Sequence, residues 1–106
     1  GSSHAMTTRD AKLDFELIKD LTKTVPVPLV LHGSSGVSDI DIQEAIRSGM
    51  RKVNIATHLN NVFTASVRET LAADPKLVDT RKYLKPGREA VAKETARLLN
   101  LLALKN

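Results

Sequence analysis

At 106 residues, with 42% hydrophobic and 26% charged side chains, the chain holds material for one globular domain at most. Its net charge of +4 comes from basic residues scattered among acids, with no basic stripe interleaved with aromatics, which argues against nucleic acid as a partner. Zero cysteines exclude disulfides and thiolate metal sites and are compatible with a cytoplasmic setting, while no apolar run approaches the ~20 residues needed to cross a membrane.

Residues 1–5 read as a tag remnant ahead of a native start at Met6, so His4 is given no function and residues 6–106 form one segment. Phe15, Phe63 and Tyr83 are the only aromatics, so the core is built from Leu, Val, Ile and Ala. A chain this short buries only about 60–70% of the surface it exposes when unfolded, which implies modest stability if it folds alone. From a cap at Asp14, apolar Leu17, Ile18 and Leu21 recur at helical spacing. The helix stops by Thr24, because Pro26 and Pro28 remove donors and drive the preceding residues toward extended backbone.

Leu29, Val30 and Leu31 then form a continuous apolar triplet, the pattern of a parallel strand buried on both faces. It ends on His32 and passes into the Gly33-Ser34-Ser35-Gly36 turn. An imidazole at the carboxyl end of a strand, beside backbone N–H groups, can serve a metal and an anion together. That end of a parallel sheet is where ligands bind.

Ser38 followed by Asp41 reads as a capping box, opening a helix whose inner stripe is Ile42, Ala45 and Ile46 and which Gly49 ends. Residues 50–56 are expected as the next strand, again running into polar sequence at Thr57, so two adjacent strand ends face one small charged ligand. His58 reads as a surface residue at the following helix start. Leu59, Val62, Phe63, Ser66, Val67 and Leu71 make that helix amphipathic, and Asp74-Pro75 closes it. Lys76, Arg81, Lys82, Lys85 and Arg88 are expected on a solvated face. Pro86 is placed as the first residue of a long last helix carrying Val91, Leu98, Leu99 and Leu102. The order is that of a βα repeat, yet two parallel strands do not close a sheet.

Three ordered motifs carry a specific resemblance: Val27-Pro28-Leu29-Val30-Leu31-His32-Gly33-Ser34-Ser35-Gly36-Val37, Arg51-Lys52-Val53-Asn54-Ile55-Ala56-Thr57, and Tyr83-Leu84-Lys85-Pro86-Gly87-Arg88-Glu89. Together the chain from about Lys12 to Leu102 resembles the C-terminal part of the class II, zinc-dependent ketose-bisphosphate aldolases, which act on fructose or tagatose bisphosphate. The resemblance implies an α/β fold, the last third of a (β/α)8 TIM barrel, with about two parallel strands and four helices. It implies reversible aldol cleavage of a ketose bisphosphate to dihydroxyacetone phosphate and an aldehyde, with Zn2+ polarising the carbonyl and stabilising the enediolate.

By the same resemblance His32 is a zinc ligand, and the turn Gly33, Ser34, Ser35, Gly36 grips the phosphate and helps bind a monovalent cation. Asn54 contacts substrate, and Ala56 and Thr57 contact the phosphate. Glycines let a backbone approach phosphate closely, and serine hydroxyls and N–H groups supply donors. The turn reads Gly-Ser-Ser-Gly where many members have Gly-Gly-Ser-Gly, which keeps the donors provided Ser34 can take the backbone angles.

In that family the two other zinc histidines and the aspartate that handles the substrate proton lie upstream, so the chain alone is expected to be inactive and to need a complementing N-terminal barrel segment. Two other readings stay open: a phosphate-binding or regulatory module without chemistry, and a structural module whose sheet edges and apolar faces drive assembly into a homo-oligomer.

Overall fold

The computed structural model describes residues 9–105; the tag reading of residues 1–5, His4 and the start at Met6 lie outside them. The chain runs α1 (Phe15–Thr24), β1 (Leu29–Leu31), a 3-10 turn (Ser34–Gly36), α2 (Asp39–Ser48), β2 (Met50–Val53), α3 (Thr57–Ala73) and α4 (Thr80–Leu102). The two strands pair in parallel, Leu29 with Met50, Val30 with Lys52 and Leu31 with Val53, with an irregularity between Leu29 and Val30. Four helices and two parallel strands are what the resemblance implied, and among the described residues they form no closed barrel.

Local chemistry sets the element ends. The Asp14 carboxylate accepts from the Leu17 N–H, and the Ser38 hydroxyl accepts from the Asp41 N–H, so both expected caps form. Gly49 ends α2 at φ +133°, a conformation L side chains rarely adopt.

The core sits where α2, the carboxyl ends of the strands and the last turns of α4 meet. Val37, Ile42, Leu98 and Leu101 are buried there, with Val53, Ile55 and Leu59 packed around them. Leu101 takes the place expected for Leu99, which is 64% exposed. The buried Gln43 side chain donates to the Leu101 carbonyl, fastening the end of α4 to α2 without leaving a buried amide unpaired.

Three expectations are corrected. Leu29–Leu31 is buried on both faces only in part: Leu31 is buried, but Val30 is 37% exposed in a sheet that has two strands among the described residues. The second strand stops at Val53 rather than running to residue 56, although the Asn54 N–H still donates to the Leu31 carbonyl at 3.0 Å.

Pro86 is not the first residue of the last helix. That helix begins at Thr80, capped by Asp79, whose carboxylate accepts from the Arg81 N–H at 3.0 Å. Pro86 lies inside α4, where it cannot donate to the Lys82 carbonyl. Just past it α4 packs closely on α3. Buried Gly87 brings the backbone so close to α3 that an added Cβ would stand 2.8 Å from Phe63 Cε2.

Candidate phosphate-binding cleft at the strand ends

At the carboxyl ends of β1 and β2 a cleft of about 240 Å3 opens, lined by Gly33, Ser34, Ser35, Asn54, Ile55, Ala56, Thr57 and His58. The parallel pairing creates it: both strands end at the same level, and each chain turns away into a polar loop. Gly33 leaves β1 at φ +68°, the left-handed region where glycine costs least. Among the described residues Leu104 is the only non-glycine at positive φ, so Ser34 takes its place in the turn without that strain. The condition set on Ser34 is therefore met.

The buried Ser34 hydroxyl donates to the Asn54 carbonyl at 2.6 Å, tying the first loop to the end of the second strand. That donor is engaged in holding the cleft together. Ser35, half-buried, lines the cleft. Gly36 lies outside it: it is buried, and its carbonyl accepts from the Ala11 N–H at 2.9 Å.

On the opposite wall α3 starts at Thr57, with Ala56 in the cap position and no side chain capping the terminus. The first N–H groups of a helix have no intrahelical acceptors, and the aligned peptide dipoles place positive charge there. No acidic residue occupies this first turn. A wall of donors with a positive field suits a small anion, phosphate above all.

His32 stands exposed at the end of β1, just off the cleft, and its Nδ1 lies 3.1 Å from Asn54 Nδ2. An amide nitrogen only donates, so Nδ1 accepts and the neutral ring carries its proton on Nε2. A metal at Nδ1 would displace that amide. A metal at Nε2 would require the Asn54 amide to turn so that its oxygen accepts from Nδ1–H. Among the described residues no group of three or more histidine, cysteine or acidic side chains could hold a metal ion. His32 thus suits one imidazole ligand, but the described donors do not complete a zinc site.

His58 departs from its expected place on the surface. It is half-buried, and its Nε2 stands 2.7 Å from the Glu94 carboxylate on α4. Glu94 also binds Arg97 at 2.6 Å, Arg97 reaches Asp39 at 2.7 Å, and Asp39 meets Arg9 at 2.8 Å. Arg9 in turn donates to the Val37 carbonyl at 2.9 Å. The Arg97 hydrogen bonds pull the Glu94 carboxyl from its ordinary 4.5 down to about 2, against its burial and with help from His58. For Asp39, burial pushes upward, but the hydrogen bonds from Arg9 and Arg97 outweigh it and hold the carboxyl below its usual range. Nothing in local spacing points to this network, since His58 and Glu94 are 36 positions apart.

The family model for class II fructose-bisphosphate aldolase matches residues 1–106. Among solved structures, the crystal structure of the YdjI aldolase from Escherichia coli K12 is similar at 34% sequence identity and a TM-score of 0.76. The match covers 90% of this chain and 35% of that one, so the chain spans about a third of the length of this relative. With the parallel strand pair, the cleft at its carboxyl end and a family match across its whole length, the chain belongs to the class II fructose-bisphosphate aldolase family.

Proposed function

We propose that this chain forms the C-terminal part of a zinc-dependent class II ketose-bisphosphate aldolase and supplies the subsite for the phosphate of dihydroxyacetone phosphate. The observation that carries the reading is the cleft where the Gly33–Ser35 turn, Asn54 and the uncapped start of α3 converge. Backbone N–H groups at Ala56 and Thr57, with the Ser35 hydroxyl, bind the phosphate. The Asn54 side chain, anchored beside His32, orients the triose. Ser34 acts through Asn54 by fixing the two loops relative to one another.

His32 is one zinc ligand, and the remaining ligands and the proton-handling aspartate come from residues outside this chain, so no chemical step is assigned to the described residues alone. The unpaired edges of β1 and β2 are where further barrel strands pair, and the exposed Val30 face is where barrel side chains pack. The working protein in this reading is a cytoplasmic sugar-phosphate lyase, with no part played by nucleic acid or membrane. No helix among the described residues is long and apolar enough to cross one.

The test is complementation. The chain is mixed with the N-terminal portion of the Escherichia coli YdjI aldolase and zinc, and exchange of the reactive hydrogen of dihydroxyacetone phosphate with solvent is followed. Exchange is expected only when both pieces and zinc are present. His32→Ala lowers it by more than the ~10–100-fold typical of groups that merely support a ligand. A reassembled barrel that binds zinc and shows no exchange refutes the proposal.

A further inference from the structure

Four charged side chains stand behind His58, two of each sign: Glu94 and Arg97 from α4, Asp39 from the start of α2, and Arg9 from the segment ahead of α1. Both carboxyls are held below their ordinary range, and the guanidinium groups keep their charge. Two negative and two positive charges cancel, so the net charge of the five-residue cluster is decided by His58. It is neutral with a neutral ring and positive with an imidazolium.

His58 also lines the cleft, at the second position of α3. It borders a small cavity behind Ser34 and Ser35, whose lining among the described residues also includes Arg9 and Arg97. Because the Glu94 carboxylate can only accept, His58 Nε2 carries the hydrogen between them. The other ring nitrogen, Nδ1, then presents a lone pair when the ring is neutral and an N–H when it is charged. A lone pair repels an anion, and a charged N–H binds it.

We propose that His58 is an anion-binding residue of this cleft, its Nδ1–H joining the start of α3 in holding a phosphate monoester, so that binding strengthens as the ring takes up a proton. The inference rests on the reading of the cleft as a phosphate subsite. Glu94 positions the ring by accepting from Nε2.

Sulfate is the probe, since it stays a dianion where inorganic phosphate changes its own charge. Amide shifts of the 106-residue chain report its affinity from about pH 8 down to about pH 5, the range in which histidines commonly change charge. The affinity is expected to rise about tenfold, the worth of one charge-assisted hydrogen bond. His58→Gln flattens that rise. Glu94→Gln, which removes the carboxylate that fixes Nε2 as the donor and lets the neutral ring carry its hydrogen on Nδ1, shrinks the rise.

His4 and His32 are untouched in both variants, so a profile unchanged by His58→Gln places the pH dependence outside His58 and overturns the inference. Should His58→Gln fail to fold, a rise in Glu94→Gln as large as the parent's overturns it equally. A parent chain that binds sulfate equally across the range also overturns it and leaves the phosphate subsite standing. Absence of both sulfate and inorganic phosphate binding at every pH overturns the two together.

Discussion

Gly49→Ala is expected to lower the thermal midpoint by more than roughly 10 °C, from a loss of about 3 kcal/mol or more. Two costs coincide at this position. Gly49 sits at φ +133°, where an L side chain is strained, and a Cβ there would overlap the Thr22 hydroxyl, its Cβ and its methyl. Thr22 cannot simply move aside. Its hydroxyl donates to the Ile18 carbonyl at 2.8 Å and approaches the Ser48 carbonyl at 3.4 Å, closing α1 against the end of α2. The double variant Thr22→Ala/Gly49→Ala should recover the overlap but not the backbone strain, giving a midpoint between those of the parent and Gly49→Ala. Circular dichroism melts check it, and a midpoint within about 2 °C of the parent for Gly49→Ala would contradict the placement of α1 on α2.

Acid is expected to weaken the fold through Glu94. A carboxyl whose folded value lies below its unfolded one contributes stability that is complete above the unfolded value and is lost as pH falls through the folded value. For Glu94 that window runs from about 4.5 down to about 2, with Asp39 adding in the same direction. At full strength such a displacement is worth roughly 3 kcal/mol. Arg97 and Asp39 are 42% and 37% exposed, and solvent screening leaves roughly 1–2 kcal/mol. Unfolding by denaturant at stepped pH should show this loss in the parent. Glu94→Gln should be less stable at neutral pH and show a shallower acid limb. An acid limb in Glu94→Gln as steep as the parent's would remove the network from any role in holding α4 to the cleft.

Most of what places the cleft is written locally. Asp14 and Ser38 sit next to the helices they cap, and Gly33 follows its strand directly, so spacing and residue chemistry suffice to find them. Asn54, Ala56 and Thr57 are marked by the family resemblance rather than by spacing, and they line the cleft, although the strand before them ends sooner than its apolar run suggests. Pro86 misled because the preference of proline for a first turn is statistical, whereas Asp79 offers a real side-chain cap seven residues earlier. One residue after the proline, Gly87 leaves room for Phe63 of α3, an approach that no window of neighbouring residues contains.

His58 is the instructive miss at the site. Its own helix start reads as solvent, and only the return of α4 brings Glu94 to its ring. Ser34 and Gly36 show the converse, since both belong to the turn that the motif marks. One spends its hydroxyl on the Asn54 carbonyl, and the other faces Ala11 rather than the cleft.

The measurement that bears most directly on the phosphate subsite is an amide-correlation NMR titration of the labelled chain with dihydroxyacetone phosphate. The account predicts dispersed resonances and saturable shifts concentrated at Gly33, Ser35, Asn54, Ala56 and Thr57, the residues around the cleft. Shifts that are absent, or that gather instead along the exposed basic residues Arg81, Lys85 and Arg88 of α4, would contradict it.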